Sequence, residues 1–72
     1  MDIINVLSDK LRSKLHRDAF EISSVLATPT EPNALERLEQ AIASYSSTIS
    51  QINTLDEVKE KYQVGAEKLN EN

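Results

Sequence analysis

The chain has 72 residues and a net charge of −4, with one glycine, two prolines, two tyrosines, one phenylalanine and no cysteine. A chain this short is one domain whose core is at the edge of self-sufficiency, and without cysteine it has neither a disulfide framework nor a thiolate metal site to reinforce it. The acidic balance argues against nucleic-acid binding, which rests on Lys and Arg neutralising phosphates, and no apolar run approaches membrane-spanning length.

Residues 3–27 read as an amphipathic helix. Ile3, Ile4, Leu7, Leu11, Leu15, Ala19, Ile22 and Leu26 recur mostly at steps of four, which makes a continuous stripe at helical pitch. Val6, Phe20 and Val25 widen or flank it. Lys10, Arg12, Lys14 and Arg17 form a basic face, read as solvated or as facing the acids of a neighbour. Neither Gly nor Pro interrupts this stretch. The segment is neutral, with four acids and four bases, whereas residues 28–54 and 55–72 each sum to −2.

Thr28-Pro29-Thr30-Glu31-Pro32-Asn33 is the punctuation. Proline disfavours the α conformation in the residue before it, so the first helix should end near Ala27. Thr28 and Glu31 have the spacing of a capping box for a second helix, with Thr30 a competing cap. A connection this short predicts antiparallel neighbours, turned at Pro29 and Pro32.

The second helix is expected over 34–52. Leu35, Leu38, Ile42, Tyr45, Ile49 and Ile52 recur at spacings of three and four, the pattern of a coiled-coil seam. Ala34 and Ala41 add small residues beside it. Ser44, Ser46, Ser47 and Ser50 suit a surface that other chains cover closely, because serine otherwise competes for backbone hydrogen bonds. After Ile52 the phase slips. Leu55 and Val58 come one position early and are followed by Tyr62, Ala66 and Leu69. Residues 55–69 are therefore either a continuation of the second helix with a stammer or a short third helix capped by Asn53 or Thr54. The fold class is all-α: a single helical-hairpin domain spanning 1–72.

Chemistry is sparse. The lone histidine, His16, sits on the charged side of the first helix, where a solvated role is the plainer reading. Glu36/Glu39 and Glu57/Glu60 have helical spacing beside Arg37 and Lys59 and read as surface charge. One glycine cannot build a phosphate-cradling loop. Neither an enzyme nor a metal or other cofactor is expected. No basic segment followed by an apolar one marks a secretory signal peptide. What remains is protein-partner binding through apolar helix faces, as a homo-oligomer or a hetero-complex, with Ile49–Leu69 the stretch most in need of a covering chain.

The run Pro29-Thr30-Glu31-Pro32-Asn33-Ala34-Leu35-Glu36-Arg37-Leu38-Glu39-Gln40-Ala41-Ile42-Ala43-Ser44-Tyr45-Ser46 resembles the centre of type III secretion needle subunits. Those proteins are of similar length, with a proline turn between two helices and then a Leu-rich helix carrying a Tyr-Ser or Tyr-Thr pair. The resemblance implies a subunit that self-assembles into a helical filament outside the bacterial cell, with other secretion components as partners. In that picture Leu35, Leu38, Ile42 and Tyr45 pack on the first helix, and Ile49, Ile52, Leu55, Val58 and Tyr62 meet neighbouring subunits. The polar end, Glu67-Lys68-Leu69-Asn70-Glu71-Asn72, suits instead the small helical-hairpin co-chaperones of the same system, which keep needle subunits soluble in the cytoplasm. A helical adaptor unrelated to secretion is the third expectation.

Overall fold

The computed structural model describes residues 2–64 and is a two-helix hairpin. Helix α1 spans Ile3–Ala27 and helix α2 spans Ala34–Lys59, with one π-helical turn, Glu60–Val64, continuing α2. Both helix starts and the end of the first helix fall where the sequence predicts them. Residues 53–54 do not break the chain, because α2 runs through them. The expected helical end over 55–69 is continuous with α2 as far as Val64, and residues 65–69 lie outside the described residues.

Asp2 caps α1, its Oδ1 accepting from the Ile4 N–H at 3.0 Å. This satisfies one of the amide groups that a helix start leaves without an intrahelical partner. The expected Thr28–Glu31 capping box does not form. Thr28 closes α1 instead: its hydroxyl donates to the Ser24 carbonyl at 3.0 Å and its N–H to the Val25 carbonyl at 3.0 Å. Thr30 does not cap α2 either, since Asn33 takes the N-cap position without a side-chain hydrogen bond. Two stacked turns span the prolines, Glu31 N–H to the Thr28 carbonyl and Ala34 N–H to the Glu31 carbonyl. Glu31 is thereby free to turn its carboxylate toward Arg37, which donates to it at 3.1 Å.

The seam between the helices differs from the stripes of large residues. On α2 the buried positions are Ala34, Ala41, Thr48 and Leu55, seven residues apart throughout. Leu38, Tyr45 and Ile52 are half-buried beside them. In this frame Leu55 is in phase, and no stammer is needed before Lys59. The apparent slip arises from following bulk, when the positions nearest α1 are held by small side chains. On α1 the inward row is Ile4, Ser8, Leu11, Leu15, Asp18, Ile22 and Val25, with Leu11 and Val25 buried and the others half-buried. Its steps of four and three match the row on α2. Ile3, Leu7, Ala19 and Leu26, expected in the stripe, are exposed.

Two polar inward positions meet at mid-hairpin. Asp18 accepts from the Ser44 hydroxyl at 2.9 Å, and Thr48 Oγ1 lies 3.1 Å from the other Asp18 carboxylate oxygen and 2.9 Å from the Ser44 carbonyl. The single Thr48 proton is shared between those two acceptors. Thr48 is fully enclosed, and no buried side-chain polar atom among the described residues lacks a partner. A buried polar layer of this kind favours one helix register, because a slip strands the carboxylate.

Candidate protein-interaction surface

The nine apolar residues expected to bind partners separate into an inner and an outer set. Leu38, Tyr45, Ile52 and Val58 are half-buried, and Leu55 is enclosed against α1 at 7% exposure. Leu35 and Ile42, expected to pack on α1, are instead 70% and 50% exposed. Ile49 joins them at 36%, and Tyr62 is exposed near the open end with the Lys61 ammonium 5.6 Å from its ring centroid. The physical reason is helical geometry. Each residue advances about 100° around the axis, so with Ala34, Ala41 and Thr48 centred on α1, their successors Leu35, Ile42 and Ile49 are rotated onto the flank.

Pro29 and Pro32 are exposed in the turn. Pro29 also lines a cleft of about 190 Å³ with Val25, Leu26, Ala34, Leu35 and Leu38. That cleft joins the exposed Leu26 to the flank of α2. Nearby, Arg37 bridges both helices, donating to Glu21 of α1 at 2.5 Å and to Glu31 of the turn. The Glu21 hydrogen bond and charge, with a smaller contribution from Glu31, hold the Arg37 guanidinium above its ordinary pKa, so it stays cationic.

The open end carries a larger groove, about 530 Å³, between the start of α1 and the last turns of α2. Ile4, Leu7 and Leu11 form one wall, and Leu55 and Val58 with Gln51 and Thr54 the other. Val58 was expected to face a partner and lies in this groove. The contribution of α1 to it was not expected from the sequence. A signal for it does exist: α1 has more apolar residues than one stripe can hold. Ile3, Val6 and Phe20 fall off the seam and are exposed, Phe20 at 76%.

On the polar side, Asp9, Arg12, Ser13 and His16 line a shallow depression along α1. Among the described residues there is no group of three or more His, Cys, Asp or Glu placed to hold a metal ion, and no helix is long and apolar enough to cross a membrane. No protein-family model, curated protein or solved structure matches the chain.

Proposed function

We propose that the chain is a structural subunit that works by packing its helices against other protein chains, as a type III secretion needle subunit does. One observation carries the reading: the regular stripe of Leu35, Ile42 and Ile49 is left uncovered by the hairpin's own seam. Large aliphatic side chains at heptad spacing suit a second helix laid along α2. The needle-like identity rests on the resemblance around Pro29–Ser46 and places the assembled protein outside the cell.

Sedimentation across a concentration series, with electron microscopy of the fast fraction, tests this. Filaments are expected from the unaltered chain. Ile49→Asp and Val58→Asp should abolish them while the far-ultraviolet spectrum stays helical. Normal filaments from both variants would overturn the reading.

The open-end groove favours a second reading. Five apolar side chains from both helices line a trough that suits the apolar face of a client helix. A co-chaperone of this design would remain a small cytoplasmic species and form a defined heterocomplex. A chain that stays monomeric at high concentration, yet forms a one-to-one complex with a needle subunit, would establish it.

A further inference from the structure

Each helix carries a second, outward heptad row, and the two rows are opposite in charge. On α1 the row is Val6, Lys10, Arg17 and Phe20, all exposed and turned away from α2. On α2 it is Leu35, Glu39, Ile42, Ile49 and Asp56, with Ser46 and Asn53 between them and Glu60 following in the π-helical turn, all exposed, about 100° around the helix from the seam. The first row holds two cations and no acid; the second holds three acids and no cation. None of these five charged residues enters an ion pair among the described residues, where the ion pairs all belong to Arg37. Both rows combine apolar side chains with charges of one sign, as in helices that select a partner by complementary flanking charge. Asp9 flanks the basic row but lies beside Arg12, so the wider surface stays positive.

We infer that the α1 row of one copy docks on the α2 row of a second copy, with Phe20 and Val6 against Leu35, Ile42 and Ile49, and with the Lys10–Arg17 stretch beside Glu39, in an acidic field that Asp56 and Glu60 extend toward the open end. This rests on the self-associating reading proposed above and specifies the surfaces that meet. The rows are on different helices and face different directions. A contact between two copies therefore leaves one row of each kind free, and association continues past the dimer.

Charge reversal on the full chain tests the pairing. Lys10→Glu/Arg17→Glu makes both rows acidic, and Glu39→Lys/Asp56→Lys leaves the α1 row basic and makes the α2 row largely basic as well. Each variant alone should associate at least about tenfold more weakly than the unaltered chain, because like charges meet. An equimolar mixture of the two should recover association, since each then offers the row the other lacks. Salt of about 0.5 M should weaken the unaltered chain and relieve the variants. Circular dichroism confirms that each variant is helical, as expected for exposed positions. If the unaltered chain associates and the reversed variants associate equally well, this pairing is overturned while self-association stands. If the unaltered chain stays monomeric at millimolar concentration, both fall together.

Discussion

At the turn end of the hairpin, small residues bring the helices together and charge closes them. Ala34 and Ala41 occupy the inward positions of α2, and Arg37 reaches across to Glu21 and back to Glu31. At the open end, Leu11 and Leu55 hold the helices together, and among the described residues the apolar groove beside them has no polar closure comparable to Arg37. Between the two sits the polar layer of Asp18, Ser44 and Thr48. The turn end is closed by interactions within the chain. The open end concentrates apolar surface on Ile4, Leu7, Leu11, Leu55 and Val58.

The comparison breaks most directly at Leu55. It is 7% exposed and lies across from Leu11, itself 6% exposed. Leu55→Ala removes a buried side chain at a cost of about 2–5 kcal/mol. A single core in a chain this short rarely supplies more than about 3–5 kcal/mol. The variant should therefore be largely unfolded in the isolated chain, seen as loss of helical ellipticity at room temperature. Recovery of helicity when the chain is concentrated would show that association reinforces this end. A Leu55→Ala chain as resistant to urea as the parent would mean the open end adds little to the fold.

The middle layer is the next test. Thr48→Val leaves the Asp18 carboxylate with Ser44 alone and should cost about 1–3 kcal/mol in urea unfolding. Replacing both partners, as Asp18→Leu/Thr48→Val, should return most of that stability, because no carboxylate is then left short of a donor and the half-buried Ser44 hydroxyl can turn to solvent or a backbone carbonyl. The double variant should lose specificity instead, appearing as mixed registers or oligomers by sedimentation. If the double variant is as unstable as the single one, the layer holds the helices together by more than satisfying its own groups.

The polar layer also marks where the sequence was hard to read. The two helices, their boundaries at Ile3, Ala27 and Ala34, and the proline turn followed from periodicity and proline chemistry. The inward faces did not. Following Leu35, Leu38, Ile42 and Ile49 selects bulk, but helices that approach closely place small residues at the contact and rotate the bulky ones to the flanks. Ala34, Ala41 and Thr48 at strict seven-residue spacing were the available signal, hidden because alanine and threonine carry little hydropathy. Ser8 and Asp18 carry no apolar signal on α1, and a half-buried carboxylate such as Asp18 needs partners, which lie 26 and 30 residues away. A local window along the sequence does not bring them together. The capping box failed for a related reason. Thr28 has two helices to serve, and its hydroxyl reaches the Ser24 carbonyl of the one it already ends.

A smaller effect sharpens the comparison at the open end. Asp2 is the one side-chain cap on either helix start, since Asn33 makes no such bond at α2. Asp2→Ala should cost about 1 kcal/mol. The loss should appear as faster amide exchange over 3–8, next to the groove wall formed by Ile4 and Leu7, with the turn end unchanged. Uniformly faster exchange throughout the hairpin would mean that the two ends open together.

The smallest effect belongs to Arg37. It is about one-third exposed, and both carboxylate partners are more so, so solvent and salt screen the pair. Arg37→Gln should cost little stability even at low ionic strength, and the difference from the parent should shrink in about 1 M salt. The direction of the Arg37 pKa shift also fixes its pH behaviour. A cation whose folded pKa is raised contributes stability that is fully present below its ordinary value and is lost only as pH rises through the folded one. For a guanidinium both values lie far above neutrality, so titration of Arg37 adds no slope to stability between about pH 6 and pH 9. The informative reading is local. Arg37→Gln should speed amide exchange in the last turns of α1 and the first turns of α2 while leaving 3–11 unaffected. An equal loss of protection at both ends would mean that the turn end depends on the same apolar contacts as the open end, and that the charge bridge only decorates them.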